Sequence, residues 1–410
     1  MESPRHQPSN RAQAGKRGER VRSDCHVEIE LQQSGGVKIE IKSKVAAMYG
    51  ESMRKLAHEM IDHARIAHAA VFIEDAGALP FTLIARIETA IQRLLTDGTF
   101  EYSSTEKQIS HVATNKIRLR RTRLYLPGNK PKFFINAGLH QPDAIILDLE
   151  DSVAPAEKDA ARRLVRQALR SIDFYGAETM VRINSGELGQ QDLRAIVPHG
   201  VQVILVPKCE SAQSVIKVEH EIEKLRHKHR LTNEIFLIPI IESALGVIKA
   251  FEIATASDKI CALAIGLEDY TADLGVPRTD HETESFYAKS AIVNAAKAAG
   301  VQALASVYSG VDDAEGLRHS AQAAKALGFE GMGCIHPRQI KIIHGAFVPR
   351  AEEIDKAMQI VLAFEQAQQN GAGVIALDAE MIDLPIVKKA QATLDHALSL
   401  GLISADWRSH

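Results

Sequence analysis

The last two-thirds of the chain are predicted to form a parallel (β/α)8 barrel (TIM barrel), preceded by a small α+β domain. Eight apolar, β-branched runs occur between residues 121 and 345, most of them are separated by stretches of helical period, and six end in ionisable residues. Uniformly apolar strands that alternate with helices are typical of a parallel sheet covered on both faces. At 410 residues the chain also exceeds the usual size of a single core, so two domains are expected.

The composition is that of an ordinary globular protein, with 45% hydrophobic and 25% charged residues. A net charge of −3 gives no reason to expect nucleic acid or an anionic membrane as a partner. No apolar run is long enough to span a bilayer and the polar N-terminus lacks a signal peptide, so we expect a cytoplasmic protein. The four cysteines are scattered without a Cys-x-x-Cys pair, which argues against zinc and structural disulfides.

The N-terminal third begins with a polar, charged segment, 1–22, that is predicted to be a disordered tail. Alternating and helical apolar patterns then define a compact domain over 23–95. Its predicted elements are strands at 26–31, 37–42 and 70–74 and helices at 45–66 and 81–95. The polar stretch 96–120 is predicted to be a linker.

The barrel is predicted over 121–345, and 346–410 form a helical extension. The eight predicted strands are 124–126, 144–149, 180–183, 201–206, 235–241, 260–265, 301–307 and 331–335. An open doubly wound sheet is the alternative, but the count of eight and the polar strand ends favour closure.

Active sites of such barrels lie at the C-terminal ends of the strands. The ionisable residues at those ends are Asp148, Glu150, Asp151, Arg182, Lys208, Glu242, Asp269 and His336. His336 is interpreted as a core residue bonded to backbone. Asp148 or Glu150 either pairs with Arg182 or Lys208 structurally or serves a substrate, and the sequence leaves both readings open.

Glu242 and Asp269 each follow an apolar run on neighbouring strands, which would carry both carboxylates into a dry barrel mouth. Such a pair repels unless a cation neutralises it, and Mg²⁺ favours one or two carboxylates together with water and substrate oxygens. A hard cation beside Arg182 suits a substrate with a carboxylate and a hydroxyl or carbonyl oxygen, and therefore enolate chemistry. No glycine-rich phosphate loop and no Gly-x-Ser-x-Gly elbow is present.

Eight ordered motifs lie within about 121–400. They are LYLPGN from Leu124, ILDLEDSVAP from Ile146, VRIN from Val181, VPKCES from Val206, IESALG from Ile241, IGLEDY from Ile265, CIHPRQ from Cys334 and LDAEMID from Leu377. Together they resemble the citrate lyase beta subunit and the related malyl- and citramalyl-CoA lyases of the HpcH/HpaI aldolase superfamily. The resemblance implies a Mg²⁺-dependent retro-Claisen or retro-aldol lyase. Its substrate would be a citryl-, malyl- or citramalyl-type thioester, on CoA or a carrier-bound CoA-like arm, split into an acyl thioester and a 2-oxo acid such as oxaloacetate.

Residue by residue, the resemblance assigns the metal to Glu242 and Asp269 and substrate binding to Arg182. The acidic pair Glu150 and Asp151, together with Lys208 and Glu242, joins the substrate-binding candidates. Asp378 matches a C-terminal aspartate that moves a proton in a neighbouring subunit's site, which implies a homo-oligomer. This chain departs from its relatives at Ala305 and Gly310, where they usually carry aspartate, so its substrate preference could differ, and at Ala379, where they have glycine.

The N-terminal domain resembles the citrate lyase acyl carrier (gamma) subunit over about 14–95, through Ser23-Asp24, IKSKV from Ile41, YGESMR from Tyr49 and GAL from Gly77. That family carries a phosphoribosyl-dephospho-CoA group on a serine and works with a citrate lyase alpha (transferase) subunit. Ser23 is the candidate attachment site, although Arg22-Ser23-Asp24 departs from the family's Ser-Ser/Gly-Asp pattern.

Three hypotheses follow: a lyase with a fused carrier, a lyase whose N-terminal domain is a structural relic, and a non-catalytic assembly or carrier subunit of a citrate lyase-like complex. The presence of Glu242, Asp269 and Arg182 argues against the third.

Overall fold

The computed structural model describes residues 10–95, 100–102, 112–279, 281–369, 375–377 and 380–409. The chain divides into two compact units, Met1–Ile343 and His344–His410. The first unit holds a small α+β domain and the barrel, and the second holds the C-terminal helices.

The small domain is a four-stranded sheet with two helices, in the order β1-β2-β4-β3. Its elements are β1 (Arg11–Gly15), β2 (Cys25–Leu31), β3 (Val37–Ser43), α1 (Ala46–His63), β4 (Ala69–Asp75) and α2 (Pro80–Leu94). The five predicted elements are confirmed. Their apolar residues, such as Ile29, Ile61, Ile73 and Ile87, are fully buried in one core.

Strand β1 corrects the prediction of a disordered tail over 1–22 for the part that the structure describes, from residue 10 onward. It pairs antiparallel with β2, from Arg11 opposite Glu30 to Gly15 opposite His26, and only Ala14 among its residues is buried. An edge strand of small residues gains its order mainly from ladder hydrogen bonds, which a composition-based argument does not register.

The barrel consists of eight parallel strands, each paired with the next and closed by β12 against β5. Its strands are β5 (Thr122–Pro127), β6 (Ala144–Asp148), β7 (Glu178–Arg182), β8 (Val203–Val206), β9 (Phe236–Ile241), β10 (Ala262–Ile265), β11 (Gln302–Ala305) and β12 (Gly331–Cys334). Each predicted apolar run contains one of these strands. The closed barrel is therefore confirmed, and the open sheet is excluded.

Helices surround the barrel, and polar side chains begin several of them. The helices are α3 (Lys158–Ser171), α4 (Gly186–Ile196), α5 (Ala212–His229), α6 (Ala244–Ile248), α7 (Ala250–Ala254), α8 (Leu267–Leu274), α9 (Phe286–Ala298), α10 (Ala314–Leu327) and α11 (Arg338–Phe347). Ser211 caps α5 and Asp313 caps α10 by accepting from backbone N–H groups of the first turn. Among the described residues, no helix is long and apolar enough to cross a membrane.

Helix α2 joins the small domain to the barrel by packing against α3. Every residue of α2 from Phe81 to Ile91 is buried, because one face covers the sheet of its own domain and another meets α3. Glu88 of α2 forms a buried ion pair with Arg166 of α3. At the edge of this interface, Arg93 donates to both carboxylate oxygens of Asp159 at 2.8 and 2.6 Å.

The base of the barrel is closed by residues that the sequence assigned to the linker. Arg120 is fully buried and donates to the two oxygens of Glu178 at 2.7 and 2.9 Å, and Thr114 donates to the same carboxylate. The described part of the predicted linker over 112–120 is thus packed against the barrel instead of being a free connector.

The second unit is built from two packed helices and a two-stranded ribbon. Its elements are α12 (Ala351–Gln369), β13 (Ile375–Leu377), β14 (Glu380–Ile382) and α13 (Leu384–Ser399). Val361 and Leu394 lie in its core with Trp407. Asp378, the predicted proton-transfer residue, lies outside the described residues.

Replacing Glu178 by Gln is expected to destabilise the protein strongly. The change leaves the Arg120 charge buried without its counter-ion, which costs about 3–5 kcal/mol in comparable buried pairs. Urea unfolding measures the change, and Asp159→Asn is the matched control. Arg93 keeps backbone partners when Asp159 is neutralised, so that control should cost less than about 1 kcal/mol. Equal losses for the two variants would contradict this account of the barrel base.

Candidate active site

A cavity of about 350 Å³ opens at the C-terminal ends of the barrel strands. Strands β5, β6, β7, β9, β10, β11 and β12 or the residues that follow them contribute its walls. The predicted site residues that line it are Asp148, Asp151, Arg182, Glu242 and Asp269. The strand ends thus bring together side chains that are as much as 121 residues apart in the sequence, as the positions 148 and 269 show.

Arg182, at the end of β7, is held in place by two carboxylates. Its Nε and Nη2 donate to the two oxygens of Asp148 at 2.7 and 2.8 Å, and Nη1 lies 2.9 Å from Glu150. Its guanidinium also lies over the ring of Tyr125, 5.4 Å from the centroid. Burial alone would raise the pKa of Asp148, but the hydrogen bonds and charge of Arg182 outweigh it and hold that pKa below its usual range. The guanidinium is therefore fixed and charged before any substrate arrives.

Lys208, which follows β8, forms ion pairs with Glu150 and Asp151, which follow β6. Its Nζ lies 2.6 Å from Glu150 and 3.2 Å from Asp151. Burial and the neighbouring Asp151 carboxyl raise the pKa of Glu150. The structure therefore shows that Asp148, Glu150 and Asp151 all take part in ion pairs, as one of the two open readings expected.

The backbone of Lys208 has a separate role. Its φ of +50° is unusual for a residue with a side chain, and its N–H donates to Oε1 of Glu242 at 2.6 Å. The left-handed conformation thus aims a backbone dipole at a carboxylate that follows β9.

Glu242 is 5% exposed and has little room for movement. A Cβ on Gly266 would lie only 2.6 Å from Oε2 of Glu242, so the carboxylate occupies space that only glycine leaves open at that position. Burial, followed by the charges of Asp269 and Glu150, raises the pKa of Glu242 to about 8. This carboxylate is in an environment that favours either a proton or a cation.

Asp269 lies half-buried in the first turn of α8 and lines the same cavity. With Glu242 it offers oxygen donors, the ligand type of hard divalent cations. No group of three or more His, Cys, Asp or Glu among the described residues is arranged to hold a metal. An ion at the pair would hence take its remaining ligands from water and substrate, as Mg²⁺ commonly does.

Arg123 and Tyr125 also line the cavity, although the sequence did not single them out as site residues. They belong to β5, and the predicted strand began at Leu124 and drew attention only to its end. The alternation of Arg123, Tyr125 and Pro127 along one face of β5 was the available signal, because residues two apart point to the same side of a strand.

Ser23 lies in the small domain, between β1 and β2, with φ of +55°. Its N–H donates to the carbonyl of Ala76 at 2.9 Å. The adjacent Asp24 forms a buried, two-point ion pair with Arg86, and Arg86 Nη2 lies 3.5 Å from the carbonyl oxygen of Asn129 in the barrel.

Two known protein families match different parts of the chain. The family model described as "HpcH/HpaI aldolase/citrate lyase" matches residues 121–337, which is more than half of the chain. The chain belongs to the HpcH/HpaI aldolase/citrate lyase family. Residues 10–94 match an acyl carrier family model described as the malonate decarboxylase delta subunit (MdcD).

Individual relatives match about 70% of the chain. The citrate lyase subunit beta of Leuconostoc mesenteroides subsp. cremoris is 38% identical over 299 residues, 71% of this chain and 98% of the relative. The human mitochondrial citramalyl-CoA lyase is 32% identical over 293 residues, 68% of this chain and 86% of the relative. A crystal structure of the protein CitE from Mycobacterium tuberculosis with magnesium, acetoacetate and coenzyme A has a TM-score of 0.57 and 30% identity, and the match covers 68% of this chain and 98% of that one.

Binding of Mg²⁺ at pH 7 is expected to release close to one proton per ion. With a pKa of about 8, Glu242 is mostly protonated at pH 7 in the metal-free protein and must lose that proton to act as a ligand. The affinity should therefore rise with pH up to about 8 and level off above it. Calorimetry in two buffers of different ionisation enthalpy measures the released protons.

The matched variants for this measurement are Glu242→Gln, which should abolish the proton release, and Glu210→Gln, which should not change it. Glu210 is an exposed neighbour that accepts a hydrogen bond from Ser243. Mg²⁺ binding without proton release would mean that Glu242 is already ionised or is not a ligand, and the Mg²⁺ affinity of Glu242→Gln distinguishes the two.

Proposed function

We propose that this chain is a Mg²⁺-dependent carbon–carbon lyase that cleaves a β-hydroxyacyl thioester into an acyl thioester and a 2-oxo acid. One observation carries the proposal: Glu242, Asp269 and the anchored Arg182 line a single cavity at the C-terminal end of the barrel. Relatives named citrate lyase subunit beta and citramalyl-CoA lyase support the class of reaction.

The reaction breaks the bond between the hydroxyl-bearing carbon and the CH₂ carbon next to the thioester. The hydroxyl loses its proton and becomes a carbonyl, and the electron pair of the broken bond passes to the CH₂ carbon. The resulting thioester enolate takes up a proton to give the acyl thioester. A divalent ion held by Glu242 and Asp269 would supply Lewis acidity at the substrate's hydroxyl and carboxylate oxygens.

Arg182 would bind the negative charge of the substrate and stabilise the charge that develops as the bond breaks. Its guanidinium is already oriented by Asp148 and Glu150, so little reorganisation is needed during the reaction. Lys208 holds Glu150 and Asp151 in the same network and adds a second positive charge at the rim.

Asp378 would deliver the proton to the CH₂ carbon from a neighbouring subunit, which requires a homo-oligomer. The support is its match to the proton-transfer aspartate in the resembling lyases. A positioned carboxyl acid typically contributes a factor of about 10²–10⁴ in rate.

The small domain would act as a carrier that presents the thioester on an arm attached to Ser23. Through Asp24, Arg86 and Asn129, the contacts lead from Ser23 towards Pro127, which lines the cavity. Bond and contact lengths along this path place Ser23 within roughly 25 Å of the cavity wall. The arm would be a phosphoribosyl-dephospho-CoA group, and a citrate lyase alpha (transferase)-like subunit would load it.

A thioester panel tests the reaction. The wild-type protein should release oxaloacetate, glyoxylate or pyruvate from citryl-, malyl- or citramalyl-CoA only when Mg²⁺ is present. Glu242→Gln should lower kcat/KM by at least about 10³-fold, since it removes a metal ligand, whereas Glu210→Gln should retain activity. Turnover that is unaffected by Glu242→Gln would overturn the mechanism and favour the non-catalytic assembly subunit.

A mixture of two inactive variants tests the origin of Asp378 within the same experiment. Asp378→Asn and Glu242→Gln should each be nearly inactive, but co-refolded or co-expressed oligomers should regain activity, because some sites then combine an intact Glu242 with an intact Asp378 from the neighbour. A mixture as inactive as its components would place Asp378 in its own subunit's site, and an active Asp378→Asn variant would remove it from the mechanism.

The carrier role predicts a mass addition on the peptide that contains Ser23 in protein purified from its native host. Ser23→Ala should abolish the addition, and Ser34→Ala, in another loop of the same domain, should leave it unchanged. Cleavage of free CoA thioesters should survive both substitutions, because the barrel residues are intact. Native protein that is fully active and unmodified would indicate that the small domain is a structural relic.

A further inference from the structure

The floor of the cavity holds a second arginine that the proposed mechanism does not use. Arg123, the second residue of β5, lines the same cavity as Glu242 and Asp269 and is only 2% exposed. It therefore lies deeper than Arg182, which is fixed at the mouth by Asp148 and Glu150.

Arg123 lacks a counter-ion among the described residues. Its Nη2 donates to the carbonyl of Ala305 at 3.0 Å, while Nε and Nη1 are buried and have no hydrogen-bond partner. The other arginines of the barrel that are discussed above each have a carboxylate partner: the buried Arg120 and Arg166 and the partly exposed Arg182. Burying an unpaired charge is costly, so this guanidinium is suited to pair with an anionic group of a bound ligand.

The ionisable neighbours of Arg123 are neutral near pH 7. Burial raises the pKa of Tyr125 above its usual value and raises the pKa of both Cys334 and Cys261 to about 12. Arg120, the other charged neighbour, has the same sign and is already paired with Glu178. No carboxylate is among the groups that act most strongly on the Arg123 charge.

Two residues with short side chains line the same cavity as Arg123. They are Ala264 of β10 and Ala305 of β11. Ala305 both lines the cavity and supplies the carbonyl that accepts from Arg123, so a longer side chain at this position would enter the cavity close to the guanidinium.

We propose that Arg123 binds a second carboxylate of the substrate and thereby selects citryl-type thioesters. This inference rests on the proposed lyase function. Malyl-, citramalyl- and citryl-type substrates differ in one substituent of the hydroxyl-bearing carbon, which is a hydrogen, a methyl or a carboxymethyl group. Arg182 and a divalent ion held by Glu242 and Asp269 would bind the hydroxyl and the carboxylate that all three substrates share. Only the carboxymethyl group of a citryl substrate adds a carboxylate that could pair with Arg123. The 2-oxo acid released is then oxaloacetate.

The size of the selectivity follows from the cost of leaving a buried polar group unpaired. Sites built around such a group reject analogues without the matching group by about 10⁴–10⁵-fold, whereas one methyl group is worth only about 10–200-fold. The wild-type ratio of kcat/KM for citryl- over citramalyl-CoA should therefore exceed about 10³.

Two pairs of substitutions test the inference with the full-length protein and Mg²⁺. Arg123→Met removes the charge at similar volume and should lower the citryl to citramalyl ratio at least about 100-fold, whereas Arg123→Lys should keep part of it. Ala305→Asp places a carboxylate against Arg123 and should lower the ratio as far as Arg123→Met does. Ala305→Asn has the same size without the charge and should lower it much less.

A binding measurement separates selectivity from folding. Calorimetry with Mg²⁺ and either oxaloacetate or pyruvate should show a loss of oxaloacetate affinity in Arg123→Met and Ala305→Asp, with pyruvate affinity far less affected. Circular dichroism melting should show that Arg123→Met folds, since it removes an unpaired buried charge. An unfolded Arg123→Met variant would mean that the charge has a structural partner, and would overturn the inference unless Ala305→Asp lowers the ratio.

Other outcomes distinguish this inference from the proposed function. Wild-type protein that cleaves malyl- or citramalyl-CoA but not citryl-CoA would leave the lyase function standing and overturn the role of Arg123. Equal losses on all three thioesters in Arg123→Met would also overturn it. Cleavage of none of the three would overturn both.

Discussion

The active end of the barrel depends on how a buried carboxylate is kept in place after β9. Glu242 fits in the space that Gly266 leaves open. It also accepts a hydrogen bond from the backbone N–H of Lys208, which has a left-handed conformation. Burial beside Asp269 makes the negative charge costly, which the raised pKa of Glu242 expresses. The local backbone of two strands is therefore organised around a site that is electrostatically incomplete in the protein alone.

The positive charges around this cavity are treated in different ways. Arg182 and Lys208 form a network with Asp148, Glu150 and Asp151, so their positions are determined before binding. Arg123 has no such partner among the described residues and lies below them. The ion pairs fix the positions of Arg182 and Lys208, whereas the unpaired charge of Arg123 is available to bind an anion. Together they make the cavity suited to a small acid with several negative charges.

The sequence was sufficient for most of the barrel because eight fully apolar runs need a sheet covered on both faces, and helical stretches separate most of them. The positions of Glu242 and Asp269 followed from the rule that such barrels use their strand ends. Strand β1 was not predicted because its order comes from backbone pairing. Arg123 was not predicted as a site residue because it lies inside a strand and not at its end. Neither signal is visible in composition, since both depend on which neighbour each backbone or side chain meets.

Helix α2 is covered on one side by its own sheet and on another by α3, with the Glu88–Arg166 pair sealed between them. Separating the two domains would expose that apolar surface and hydrate both charges, so the small domain stays on the barrel as one body. In the proposed carrier role, a domain fixed in this way would be present once per barrel. Only the attached group would then move, and an enzyme that loads it would act on the fused protein. The fusion would thereby replace diffusion of a separate carrier by a high and constant effective concentration at the cavity.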